Sequence, residues 1–379
     1  MKTAICDVLN IDVPIVAFSH CRDVVAEVSK AGGCGVLGVA LMSPEELDVE
    51  LTWIDEQVKG KPYGIDLIVP NAFEGKNDGA GQHVAPDDVE VPQEITDFVN
   101  EILRSHDMDP DQSPATPMAS AETLSAEYSA RMLDVAFKHP LALIVNALGT
   151  PPAFMVERAK EAGVAVGALV GTTKHAEAQM RAGVDFIVAQ GMEAGGHTGE
   201  IGTMVVVPEI VRHLHELGST MPVLAAGGIV TGGQVAASIA LGAAGAWTGS
   251  VWLTTHEAET APYTKQRLLT ASSGDTVRSK FRTGKPSRQL HSEWHAAWEA
   301  EGGPDALPMP LMGYVSEPPL RYADTLAANG HKGAQALSTY WVGQGVGLMQ
   351  SAKSTRQVMS DMVDEYIEAV ERILASVDE

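Results

Sequence analysis

Val164-Ala165-Val166-Gly167-Ala168-Leu169-Val170, then Thr172 to Gly183, then Asp185-Phe186-Ile187-Val188-Ala189-Gln190 is the stretch that decides the fold. Two apolar runs of strand length bracket a segment that opens on threonine, an N-cap residue, and stops at glycine, a helix terminator. Apart from Asp185 and Gln190 at the ends of the second, the runs are apolar, as expected of buried parallel strands. The same unit recurs outward. Candidate strands are Pro14–Phe18, Gly35–Val39, Tyr63–Val69, Leu141–Ala147, Val164–Val170, Asp185–Gln190, Pro222–Ala226 and Gly245–Gly249. Helical segments Pro152–Gly163, Thr172–Gly183, Pro208–Gly218 and Thr231–Gly242 separate the later ones. Eight such units predict an α/β fold, a closed (β/α)8 TIM barrel. An open doubly wound sheet is the alternative, because a sequence pattern does not show closure.

Two regions break the repeat. Residues 71–140 are too many for one βα connection, are polar, and carry helical patches at Gln93–Arg104 and Ser120–Phe137. They read as a helical insertion after strand 3 on the C-terminal rim: a lid, a solvated decoration or a subunit contact. Residues 260–379 form a helical extension, whose last helix carries Met359, Val363, Tyr366, Val370 and Ile373 on one apolar stripe. The stripe predicts packing on the barrel, with a homodimer seam as the minority reading. Residues 1–379 thus read as one domain.

Hydrophobic residues make up 45% of the chain and charged residues 20%, enough for a sizeable core. The formal net charge of −23 argues against nucleic acid and anionic membrane as partners, since both carry the same sign. A small anionic ligand is still open to it, held locally by backbone N–H groups. Cys6, Cys21 and Cys34 are odd in number with no C-x-x-C spacing, as expected of free thiols in a reducing compartment. The start of the chain lacks the basic and apolar segments of a signal peptide, and no apolar run is long enough to span a bilayer. A soluble cytoplasmic protein is expected.

The chemistry should sit on the loops after strands 6, 7 and 8. Strand 7 ends in Ala225-Ala226-Gly227-Gly228-Ile229 and strand 8 in Thr248-Gly249-Ser250. Glycine turns at these ordinal positions frequently make a phosphate site in such barrels, from successive free N–H groups. Beside them the loop Gln190-Gly191-Met192-Glu193-Ala194-Gly195-Gly196-His197 offers a glycine-lined platform for a planar ligand. Gln190 supplies a donor and an acceptor; His197 is the one acid–base group. There is no P-loop and no G-x-G-x-x-G after the first strand. His291 and His295 have no evident third partner for zinc, and no metal site is expected. His20 follows strand 1 at the rim, within reach of the site.

These pieces resemble the nitronate monooxygenase family of FMN-dependent (β/α)8 barrels. The likeness rests on Val28-Ser29-Lys30-Ala31-Gly32-Gly33, Ser43-Pro44-Glu45-Glu46-Leu47, the Gln190–His197 motif, Ala225–Ile229, Thr248–Ser250 and Trp341-Val342-Gly343-Gln344. The Glu-Ala-Gly-Gly-His segment is shared with FMN-containing enoyl-acyl-carrier-protein reductases and quinone reductases. The resemblance therefore implies FMN, with oxidation of alkyl nitronates by O2 to a carbonyl compound and nitrite. The alternative it leaves is NAD(P)H-dependent reduction of enoyl thioesters or quinones. It implies that Gly227, Gly228, Ile229, Thr248, Gly249 and Ser250 hold the FMN phosphate. Gln190, Gly191, Gly195 and Gly196 would face the flavin, His197 would be the acid–base residue, and Lys174 would present a polar group. Two departures stand out. The strand-1 turn is Ala17-Phe18-Ser19-His20-Cys21, and Asp66 stands where members often carry asparagine. Ala17, Phe18, Ser19 and Asp66 would still touch the cofactor, but an anionic Asp66 would disfavour a negatively charged reduced ring.

Overall fold

The computed structural model describes residues 1–40, 42–69, 91–114, 125–147 and 149–377. Its strands are β1 (Ile15–Ser19), β2 (Cys34–Gly38), β3 (Tyr63–Leu67), β4 (Leu143–Asn146), β5 (Ala165–Val170), β6 (Phe186–Gln190), β7 (Gly196–His197), β8 (Val223–Ala226), β9 (Gly245–Thr248), β10 (Thr276–Ser279) and β11 (Ser287–Leu290). Eight of them close into a parallel barrel in the order β1-β2-β3-β4-β5-β6-β8-β9. The ring shuts where Ile15 pairs with Ala246. Every predicted strand is a barrel strand, and closure removes the open-sheet alternative.

Alternation along each strand builds two cores. Val16, Val36, Val145, Phe186, Val188, Leu224 and Trp247 point inward, and Ile5, Cys6 and Leu9 of the first helix join them at the N-terminal end. Interior volume is shared between neighbours: a Cβ on Gly167 would lie 2.3 Å from the Phe186 ring opposite it in register. Ile65, Ile187, Ala189 and Ala225 point outward against Leu47, Leu51, Met155, Val207 and Ile210 of the helix shell. Helix Thr173–Ala182 begins on the expected Thr172 N-cap, and helix Pro44–Val58 on a Ser43–Glu46 capping box. Helices Ala153–Ala162 and Thr173–Ala182 stop at left-handed Gly163 and Gly183. The three cysteines are free and buried. Among the described residues no helix is long and apolar enough to cross a membrane.

Three expectations are corrected. The helix expected from Pro208 runs Thr203–Glu216, with Pro208 inside it. Glu193 accepts from the Thr203 N–H and hydroxyl, both at 2.9 Å, and so caps a start five residues earlier. The tail is also not all helical. Its polar segments β10 and β11 form an antiparallel sheet with β7, in the order β10-β11-β7. Last, of the C-terminal stripe only Met359 is fully buried, and Ile373 is 50% exposed. Helix Thr355–Ala375 instead turns Thr355, Met359, Met362 and Ala369 inward. Gly232 explains the turn, because a Cβ there would sit 1.8 Å from the Met362 carbonyl oxygen.

The two described helices of the insertion pack into different cores. Helix Gln93–Ser105 sends Ile95, Val99, Ile102 and Leu103 into a third cluster with Trp294, Trp298, Met312 and Leu320 of the tail. Helix Ala126–Ala136 packs Met132, Leu133 and Ala136 on the barrel shell. The start of the predicted patch Ser120–Phe137, and residues 71–90, lie outside the described residues. Substituting Gly232→Ala forces two backbones apart and should destabilise the protein by about 1–3 kcal/mol. Urea unfolding measures this; an unchanged midpoint would contradict the close-approach account.

Candidate active site

The site grows from the C-terminal ends of β6, β8 and β9, which are adjacent in the ring. Ala226 pairs with Trp247, so the turns that follow, 227–229 and 249–250, lie side by side. Gly227 and Gly228 have φ of 112° and 72°, a left-handed backbone that favours glycine. Among the described residues the N–H groups of Gly228, Ile229, Gly249 and Ser250 donate to no protein atom. A Cβ on Gly249 would meet nothing within 4 Å, so the cradle is open on that side. Unpaired N–H groups on adjacent turns suit an anion. Below them the chain is fixed: the Thr203 hydroxyl lies 3.0 Å from the Gly227 carbonyl, and Gln234 donates to the Gly228 carbonyl at 2.8 Å.

The β6 loop carries His197 out to β7, where it pairs with Ser287 of β11. The hairpin turn between β10 and β11 then reaches over the imidazole. His197 Nε2 is 2.8 Å from Thr283 Oγ1, and that hydroxyl is 3.2 Å from the Lys285 carbonyl. Both bonds form only when Thr283 donates to the carbonyl and accepts from Nε2–H, which leaves Nδ1 as the proton acceptor. The ring is accessible at the surface yet surrounded by protein on most sides. That desolvation, and then the Lys285 ammonium, hold its pKa below the ordinary histidine value. His197 is therefore neutral at pH 7 and available as a base. Trp341 forms a wall, its ring centroid 6.0 Å from the imidazole's.

Across the mouth the β1–β3 wall presents Phe18, His20 and Asp66. Phe18 stacks toward Trp247 and meets the His20 ring edge-on at 5.1 Å. Asp66 is 7% exposed, and its Oδ1 has no hydrogen-bond partner. Burial pushes its pKa up to about 8.

The predicted residues therefore separate by role. Gln190 ends the inward face of β6 beside the Gly227, Gly228, Ile229 and Gly249 turns, with Asp66 and Phe18 on the far wall. Ala17 is fully buried in the outer shell, so only its main chain is near the mouth. Ser19 Oγ accepts the Cys21 N–H, Thr248 donates to the Val16 carbonyl, and Ser250 accepts the Gly343 N–H: all three hydroxyls brace the wall. Gly191 and Gly195 serve packing, since a Cβ on them would strike Thr203 at 2.1 Å and Val342 at 2.8 Å. Gly196, with φ 76°, turns the chain into β7. Lys174 is exposed in the first turn of helix Thr173–Ala182 and has no bond to the others. Thr283 and Lys285 were not anticipated; the signal for them was the short turn at Gly284 (φ 84°) between two polar runs.

A closed (β/α)8 barrel, with unpaired turn amides and one buttressed histidine on its C-terminal rim, places the chain among the TIM barrels. Among them the chain belongs to the nitronate monooxygenase family, whose model matches residues 2–365. A protein of Mycobacterium tuberculosis, named only as a monooxygenase, is 48% identical over 373 residues, covering 98% of both chains. The nitroalkane oxidase of Streptomyces ansochromogenes shares the fold with a TM-score of 0.78 at 22% identity, covering 98% of this chain and 100% of that one. The enoyl reductase domain of MlnA from Bacillus amyloliquefaciens does so at 0.67 and 14%, covering 98% of each.

Removing the ammonium in Lys285→Met makes protonation of the neighbouring imidazole easier, so the His197 pKa should rise toward the ordinary value. Titration of the histidine ring protons by NMR reads this directly. A fall, or no change, would contradict the electrostatics described.

Proposed function

We propose that the protein is an FMN-dependent nitronate monooxygenase that turns alkyl nitronates and O2 into a carbonyl compound and nitrite. One observation carries the reading: unpaired N–H groups on two adjacent barrel turns lie on the same C-terminal rim as a neutral, buttressed histidine. The residues present fit FMN. The Gly228, Ile229, Gly249 and Ser250 amides suit its phosphate, and the open side at Gly249 admits it. Gln190 and the unpartnered Asp66 oxygen suit the polar edge of its ring. Bound FMN would supply the electron transfer and the reaction with O2.

The chain's own groups orient and deprotonate. Lys285 beside His197 favours an anionic substrate over a neutral one. Nδ1 of His197 accepts a hydrogen bond or takes the α-proton of a neutral nitroalkane, while Thr283 keeps Nε2 protonated. Trp341 limits access of water to that side.

In His197→Asn the protein should stay yellow with bound FMN, while turnover of a nitroalkane falls by about 100-fold or more. Full activity would remove His197 from the chemistry. The fold shared with an enoyl reductase domain, together with the Glu-Ala-Gly-Gly-His motif, supports a second reading as an NAD(P)H-dependent reductase. Anaerobic mixing separates the two. A nitronate should bleach the flavin and NAD(P)H should not; rapid bleaching by NAD(P)H would favour the reductase.

A further inference from the structure

The wall opposite the His197 loop holds a buried carboxyl, Asp66, with no charged partner among the described residues. In the ring order, β2 lies four strands from β6, so the end of β2 at Gly38 stands across the mouth from Gln190. Gly38 is small so that two rings can fold over it: a Cβ there would come within 2.7 Å of His20 and 2.8 Å of Phe18. His20 Nδ1 is 3.0 Å from the Gly38 carbonyl, which only accepts, so Nδ1 carries a proton. Asp66 is the register partner of Gly38. It points into the barrel, because its neighbours Ile65 and Leu67 belong to the outer shell.

Among the described residues no cation pairs with Asp66. β2 brings Gly38 and β4 brings Val145 in register, β1 brings Phe18, and the titratable side chain on this wall is His20. No ion pair involving Asp66 is formed among the described residues, and one carboxyl oxygen is buried without a partner. An ionised carboxylate left unpaired in such a place costs several kcal/mol, and a buried acid avoids that cost by keeping its proton. Burial raises the Asp66 pKa to about 8.

We propose that Asp66 enters the cofactor site as a neutral carboxylic acid, whose O–H donates to an acceptor on the polar edge of the bound ring. In this form it does the work of an asparagine amide, and it puts no negative charge beside the ring. Binding then weakens as Asp66 ionises. The inference rests on the flavin reading, and the test keeps the two apart.

FMN affinity is measured by fluorescence quenching from about pH 6 to 9.5 for the wild type, Asp66→Asn and His20→Gln. The wild-type Kd should be level to about pH 7.5 and then rise by up to about tenfold per pH unit. Asp66→Asn should abolish this rise and His20→Gln should retain it. Matching profiles for the wild type and Asp66→Asn would overturn the proposal, as would a rise lost only in His20→Gln.

Thermal melting of the FMN-free protein tests protonation without the ligand. An unfolded aspartate loses its proton near pH 4, whereas folded Asp66 holds it to about 8. The native state thus binds the extra proton between those values, and its stability falls as pH rises through the window. Asparagine has no such dependence, so the stability advantage of Asp66→Asn should widen from about pH 5 to 8 and then level off. A constant gap would overturn the proposal. A wild type that takes up no FMN at any pH would overturn the flavin reading instead.

Discussion

At Gly195 the main chain of the β6 loop lies on the main chain of Val342, leaving no room for a side chain between them. Around that contact the Gln344 N–H donates to the Glu193 carbonyl at 2.8 Å, and the Gly343 N–H donates to Ser250 at 2.9 Å. One short tail segment therefore holds the histidine loop and the turn after β9 in fixed relation. The same segment carries Trp341, which bridges to Gln289 of β11 and walls the imidazole. A barrel alone would present loops; this one presents loops pinned by a segment about 150 residues further along the chain. Backbone-to-backbone contacts of this kind explain why glycines crowd the motif, more directly than the approach of a ligand does.

The barrel was legible because its signal is local and repeated. Apolar runs such as Leu141–Ala147 and Asp185–Gln190, each followed by a capped helix, need no knowledge of the rest of the chain. The glycine turns at 227–228 and 249 were legible for a related reason: they fall at ordinal positions that the repeat itself supplies. What could not be read depends on distant partners. Polar strands such as Ser287–Leu290 have no apolar period and form because Thr276–Ser279 lies on one side of them and β7 on the other. Thr283 and Lys285 became site residues through that sheet, and the C-terminal helix chose its buried face by what Gly232 allows. Glycines at 191 and 195 were visible, but their reason, packing against Thr203 and Val342, was not.

The groups at the mouth differ in character from the strongly acidic chain as a whole. A formal charge of −23 is a property of the whole surface. The mouth itself is lined by uncharged N–H groups, an imidazole beside the Lys285 ammonium, and an aspartate whose pKa burial raises. Long-range repulsion is screened within about 8–10 Å at physiological salt, so these local groups decide what is held.

The most direct measurement is a crystal structure of the protein with FMN. The account predicts the phosphate on the amides of Gly228, Ile229, Gly249 and Ser250, the ring's polar edge against Gln190 and Asp66, and His197 on its exposed face. A phosphate bound elsewhere, or a ring that leaves His197 out of contact, would contradict it.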